Sequence, residues 1–127
     1  MKTREDELSR EIVGSAIEVH RELGPGLLES AYQTCLAHEL KSRGIEFESE
    51  KPLPVTYKGV RLDAGYRLDL LVEDRVVVEV KALESLTAIH EAQVMTYLRV
   101  GGYKLGMLLN FGAPVLRKGI KRIVLGL

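Results

Sequence analysis

Between Tyr66 and Lys81 the chain reads Tyr-Arg-Leu-Asp-Leu-Leu-Val-Glu-Asp-Arg-Val-Val-Val-Glu-Val-Lys, two apolar runs cut once by polar residues. A β-rich stretch interrupted in this way folds as two strands joined by a tight turn, here at Glu73-Asp74-Arg75. Side chains alternate across a strand, so Val77, Glu79 and Lys81 share one face and Val76, Val78 and Val80 the other. On the partner strand Asp69 lies between Leu68 and Leu70. Closing the hairpin brings it level with Glu79 to within one residue of register. Two carboxylates and an ammonium then converge at the end of an apolar ribbon.

Unpaired charge at the edge of a core loses several kcal/mol of solvation. Neighbouring carboxylates repel, and a divalent cation between them removes that penalty. A simpler arrangement satisfies the same spacing. It is a solvated Glu-Lys pair on the open face of an antiparallel hairpin, worth under about 1 kcal/mol. Spacing alone leaves both open.

A length of 127 residues suits one domain, residues 1–127, with a real core. Hydrophobic content of 46% and charged content of 28% place the chain among soluble globular proteins. Cys35 is the single cysteine, which excludes an intramolecular disulfide. A lone thiol among apolar neighbours suits packing rather than reactivity, and a cytoplasmic location follows as an expectation. The N-terminus has no apolar signal segment and no run approaches membrane-spanning length, so no membrane partner is expected. The formal net charge of zero hides an asymmetry. All 18 acidic residues lie at or before Glu91 with 12 of the 18 Lys and Arg, so that part carries −6 and the remainder +6. The basic end, with Arg99, Lys104, Arg117, Lys118, Lys121 and Arg122, fits a polyanion partner. It equally fits an edge strand protected by charge.

Along the chain, residues 4–22 carry an amphipathic helical period, with Leu8, Ile12, Val13, Ala16, Ile17 and Val19 on one arc. His20 falls inside that arc, where a hydrogen-bonded core histidine competes with a direct role in chemistry. Gly24-Pro25-Gly26 ends the helix. A second helix spans about Leu27 to Arg43 with Leu28, Tyr32, Cys35, Leu36 and Leu40 as its stripe. Glu29 projects into this stripe. It either favours the positive end of the helix dipole or points toward Asp69 and Glu79. Short strands follow at Phe47–Glu50, Val55–Tyr57 and Val60–Asp63, with Lys58-Gly59 as a hairpin turn. After the central ribbon, a helix from about Leu86 to Val100 is capped by Ser85 or Thr87. It presents Leu86, Ile89, Gln93, Tyr97 and Val100 on one stripe, with Gln93 as a polar insertion. Strands at Leu105–Asn110 and Ile120–Leu125 close the chain. This order favours an α/β fold with a mixed β-sheet flanked by helices, the third helix crossing from the ribbon that ends at Lys81 to the strand that begins near Leu105.

Gly26-Leu27-Leu28-Glu29-Ser30-Ala31-Tyr32 resembles the signature of the GxxExxY protein family, as do the flanking Val19–Pro25 and the spaced Asp69…Glu79-Val80-Lys81. That family is placed in the PD-(D/E)XK nuclease superfamily, and the resemblance runs from about Ile12 to Val124. It implies a restriction-endonuclease-like core with two N-terminal helices and phosphodiester hydrolysis of DNA with Mg²⁺ (or Mn²⁺). By position, it implies Asp69, Glu79 and the Val80 carbonyl as metal ligands. Lys81 would orient the attacking water or stabilise charge developing on the phosphate. Glu29 corresponds to an acid supplied from a helix before the sheet, and Gln93 and Tyr97 to a Q-x-x-x-Y on the following helix. One position departs: Leu68, not proline, precedes Asp69. Mg²⁺ prefers hard oxygens and keeps several waters, so this donor set suffices. No competing constellation is present, because His20, His38 and His90 lack zinc-site spacing and no phosphate-binding Gly-rich loop occurs. Two other functions fit the same residues: a catalytically silent module of this fold acting with a partner protein, and a plain α/β domain. A chain this short leaves specificity to a homodimer or a partner protein.

Overall fold

The alternating and helical periods of the sequence resolve into three helices and seven strands, in a computed structural model that describes residues 2–127. In chain order these are α1 (Arg4–Leu23), α2 (Glu29–Ser42), β1 (Phe47–Pro52), β2 (Val55–Tyr57), β3 (Val60–Leu62), β4 (Arg67–Val72), β5 (Val76–Lys81), α3 (Ala88–Gly101), β6 (Leu105–Asn110) and β7 (Ile120–Val124). Thr3 caps α1: its side chain accepts the Asp6 N–H while Asp6 accepts the Thr3 N–H. This satisfies two amides that helix geometry leaves unpaired. Leu8, Ile12, Ala16 and Val19 are buried as the period requires, while Ile17 sits at the margin and is exposed.

Between α1 and α2 the chain turns through Gly24–Leu28. The Tyr32 hydroxyl holds this turn by donating to the Gly24 carbonyl at 2.5 Å and accepting the Leu27 N–H at 3.1 Å. Its ring stacks on Phe111 with centroids 4.7 Å apart. Tyr32, Leu36 and Leu40 form the buried stripe of α2. Leu28 does not join it, because it is the extended residue before the helix and is 77% exposed. His20 takes the structural role, its Nε2 lying 2.8 Å from the Ala113 carbonyl, which the ring meets as a donor. Cys35 is half-buried against the core.

Five strands make the main sheet in the order β1-β4-β5-β6-β7. Among the described residues only β5 and β6 run parallel, and α3 supplies the crossover between them. The mixed sheet flanked by helices is therefore present. Val76, Val78 and Val80 pack with α1 and α2, whereas Val77 packs on the α3 side with Leu71 and Leu108. A central strand buried on both faces reads as a continuous apolar run. The small β2–β3 ribbon pairs only with itself. Among the described residues, no helix is long and apolar enough to cross a membrane.

The packing face of α3 differs from the expected one. Val94 and Leu98 are the buried residues, while Ile89, Gln93 and Val100 are exposed and Tyr97 is half-buried. Gly106 explains the rotation: a Cβ there would lie 2.4 Å from Val94 Cγ1 and 3.5 Å from Leu98 Cδ2. The glycine opens a notch on β6, and the helix settles Val94 and Leu98 into it. The basic C-terminal segment decorates the edge strand β7, where Arg122 pairs with Asp6 of α1.

Replacing Tyr32 by Phe should keep the stack on Phe111 but leave the Gly24 carbonyl and Leu27 amide without their partner. We expect a loss of about 1–3 kcal/mol in denaturant unfolding. Unchanged stability would show that the hydroxyl does not hold the turn.

Candidate functional site

The antiparallel ladder between β4 and β5 pairs Val72 with Val76, Leu71 with Val77 and Leu70 with Val78, and stops there. Extending the same register would set Asp69 opposite Glu79, as the hairpin spacing predicts. Side chains replace the missing backbone bonds. Val80 N–H donates to Asp69 Oδ2 at 2.8 Å, and Asp69 N–H donates to Glu79 Oε1 at 3.3 Å. The strand also twists here: Leu68 packs on the α3 side with Leu71, and Leu70 on the opposite side. Two strands thus part around a pair of carboxyl groups at the end of the ribbon.

Glu79 is only 5% exposed, and Asp69 is half-buried. Burial pushes the Glu79 carboxyl far above the ordinary carboxylate range, and the neighbouring Asp69 charge pushes it further. Burial also raises Asp69, against the opposing hydrogen bond from the Val80 amide. The charge on Asp69 thus makes the neighbouring Glu79 carboxyl harder to ionise. Lys81, at the end of β5 on the face of Glu79, favours both ionised forms, but burial outweighs it. Among the described residues no ion pair joins Lys81 to either acid.

These residues fit a divalent cation. Each carboxyl group spends one oxygen on a backbone amide and keeps the other. The N–H and C=O of one strand residue point the same way, so the Val80 carbonyl opens into the gap where its amide meets Asp69. Two carboxylates and a carbonyl suit Mg²⁺ or Mn²⁺, which take hard oxygens and complete their shells with water. Among the described residues, no group of three or more His, Cys, Asp or Glu side chains converges as a metal cluster. A cysteine and histidine zinc cage is therefore not offered here.

Of the remaining candidates, Tyr97 is the one tied to this centre among the described residues. Tyr97 is half-buried, its ring 6.0 Å from that of Tyr66, and its hydroxyl is raised by burial and by the charges of Glu79 and Asp69. Gln93, one turn earlier, is exposed on the helix margin. Glu29 is the first residue of α2 and is exposed, in the position that favours the helix dipole. No hydrogen bond or ion pair ties it to Asp69 or Glu79 within the described residues.

Sequence reading missed residues that hold the centre in place. Gln33, one turn after Glu29, donates to the Asp69 carbonyl at 3.2 Å and to Glu50 Oε1 at 2.8 Å. Glu50 adopts φ 53°, and the β1–β4 pairing skips from Ser49 to Lys51 at that point. The Gln33 amide thus takes the place of a ladder partner for Asp69, and it links α2 to the site. On the other side, Asn110 Oδ1 accepts the amides of Leu83 and Gly112 at 2.8 and 3.1 Å, and Asn110 Nδ2 donates to the Leu83 carbonyl at 3.0 Å. This clamp fixes the chain two residues beyond Lys81. Gly112 permits it, since a Cβ would stand 2.2 Å from the Leu83 carbonyl oxygen. A polar residue ending an apolar strand was the available signal for Asn110. Nothing in the spacing marks Gln33 or Glu50. A cavity of about 810 Å³ lined by Lys41, Phe47 and Asp74 among others lies at the turn end of the ribbon, away from the carboxyl pair.

The raised carboxyl of Glu79 predicts a pH dependence of the metal-free protein. Its value is pushed up to about 8 from an ordinary 4.5, so the folded chain holds a proton that the unfolded chain releases. Stability is then greatest below the lower value and falls as pH rises through the upper one. Thermal unfolding in chelator should show this fall between those limits, and Glu79→Gln should flatten it. Parallel profiles for the two proteins would contradict the assignment.

A family model described as the PD-(D/E)XK nuclease superfamily matches residues 6–123. No match is found among curated proteins or among solved structures. The matched span takes in both N-terminal helices, the parted ribbon and the strands beyond it. With a mixed sheet and an acidic pair beside a lysine at its heart, the chain belongs to the PD-(D/E)XK nuclease superfamily.

Proposed function

We propose that the protein is a metal-dependent nuclease of the GxxExxY branch, hydrolysing phosphodiester bonds of DNA with Mg²⁺ or Mn²⁺. The observation that carries this reading is the parted β4–β5 ladder, where a buried Glu79 and Asp69 are brought together near Lys81. Two ionised carboxyl groups held there repel each other unless a cation lies between them.

In this reading Asp69, Glu79 and the Val80 carbonyl hold the ion. When present, a divalent cation supplies Lewis-acid polarisation of the phosphate and lowers the pKa of the attacking water. Lys81 places a fixed positive charge on the face of Glu79, where negative charge grows on the phosphate, and such preorganised charge is usually the largest contribution to the rate. Tyr97, whose hydroxyl senses both acids, and Gln93, one turn earlier on α3, would contact the phosphate or the water. Glu29 would add an auxiliary acid from the start of α2. Gln33 and Asn110 act through others, holding Asp69 and the exit of β5. Specificity beyond this would come from a homodimer or a partner protein.

Purified protein should cleave nucleic acid only with a divalent ion present. Lys81→Ala and Asp69→Asn, which keeps an acceptor for the Val80 amide, should each lose about 10²-fold or more of that activity while unfolding at temperatures close to wild type. Single- and double-stranded DNA and RNA should all be tried. Equal activity in wild type and variants would defeat the enzyme reading and favour a silent binding module.

A further inference from the structure

The β2–β3 hairpin has no part in the main sheet, yet it is built into the strand pair that carries the site. It is inserted between β1 and β4, and β4 reaches Asp69 two residues after its start at Arg67. Every residue from Thr56 to Arg67 is exposed. The base of the hairpin is fixed by buried Leu53, whose amide donates to the Tyr66 carbonyl at 2.9 Å. Tyr66 in turn sits 6.0 Å from Tyr97, ring to ring, beside the carboxyl pair.

Cross-strand partners point to the same side of a ribbon. Val55 pairs with Leu62 and Tyr57 with Val60, so these four make one apolar face. Tyr57, Val60 and Leu62 are 59%, 55% and 46% exposed, so that face is uncovered. A two-stranded ribbon with a bare apolar side is marginal in water without a covering surface. Within the ribbon the charge is of one sign, although Asp63 follows directly after it. From Val55 to Leu62 there is no acid, while Lys58 stands 5.4 Å over the Tyr57 ring and Arg61 lies on the opposite face. Neither Lys58 nor Arg61 makes an ion pair among the described residues. Arg61 also lines an open cavity of about 560 Å³ with Lys51, Pro52, Pro54 and Asp63.

We propose that the β2–β3 hairpin is a binding arm for single-stranded nucleic acid, with Tyr57, Val60 and Leu62 taking unpaired bases and Lys58 and Arg61 taking phosphates. Apolar and aromatic surface gains from base faces, which a duplex keeps stacked inside, and the cations match a phosphate backbone. This combination selects a strand with its bases free over a duplex or an acidic protein. The arm then delivers that strand past Tyr66 to Asp69 and Glu79, a consequence that rests on the nuclease reading, whereas binding by the arm does not.

The test is fluorescence anisotropy of the full chain with a labelled oligothymidine and a duplex of equal length, in chelator so that nothing is cleaved. Tyr57→Ala should weaken single-strand binding at least about fivefold and leave duplex binding unchanged. The pair Lys58→Ala and Arg61→Ala should lower the slope of log affinity against log salt by about 1.4. Single-strand binding equal to wild type in both variants overturns the proposal. So does a shift in oligomeric state on sedimentation without a change in binding, which would make the arm a contact between copies. If these binding losses occur but wild type never cleaves, the arm stands and the nuclease reading falls. If Lys81→Ala abolishes cleavage while the arm variants bind and cleave normally, the reverse holds.

Discussion

The site depends on one interruption: the hydrogen-bond ladder between β4 and β5 ends after Leu70 and Val78, and carboxyl side chains finish what the backbone leaves undone. A continued ladder would bury the Val80 amide and carbonyl in ordinary pairing and close the gap. Because Asp69 instead takes the Val80 amide, the strands stay apart and two acids are held together at the rim of the core. The same contacts that order the acids also remove them from water, and that is why Glu79 is so reluctant to ionise. An arrangement that is poor for an isolated carboxylate is well suited to holding a divalent ion.

Most of the surrounding fold keeps this gap at a fixed width. Gln33 reaches from α2 to the Asp69 carbonyl, and Asn110 pins Leu83 just beyond Lys81. Tyr32 closes the turn before α2 and stacks on Phe111, which follows Asn110 in the chain. Helix, ribbon and β6 are therefore joined through side chains that converge on the same end of the sheet. A loose connection at any of them would move the acids, and positioning errors near an ångström are costly in catalysis.

Much of this was legible in the sequence because it follows from short periods. The two-residue alternation of Val76 to Lys81 sorted the layers correctly, and the Glu73-Asp74-Arg75 turn fixed the register that levels Asp69 with Glu79. Helix limits fell within a few residues because Gly24 and Thr87 mark them. What escaped depends on tertiary packing. The face of α3 turned because Gly106 admits Val94 and Leu98, a fact of the neighbouring strand rather than of the helix. Leu28 looked like part of a stripe but precedes the helix, and Gln33 owes its place to a gap in β1–β4 pairing that no local pattern announces. Glu29 allowed two readings, a partner of the helix dipole or an acid pointing toward Asp69 and Glu79, and the structure puts it at an exposed helix start.

The central claim is that Asp69 and Glu79 together hold a divalent cation, and calorimetry measures it without reference to any substrate. Mg²⁺ or Mn²⁺ titrated into wild type should give a saturable heat for one ion. The same titration into Asp69→Asn should show affinity reduced tenfold or more, since one charged oxygen ligand is lost. Identical heats from the two proteins would mean that the acids meet for structural reasons alone.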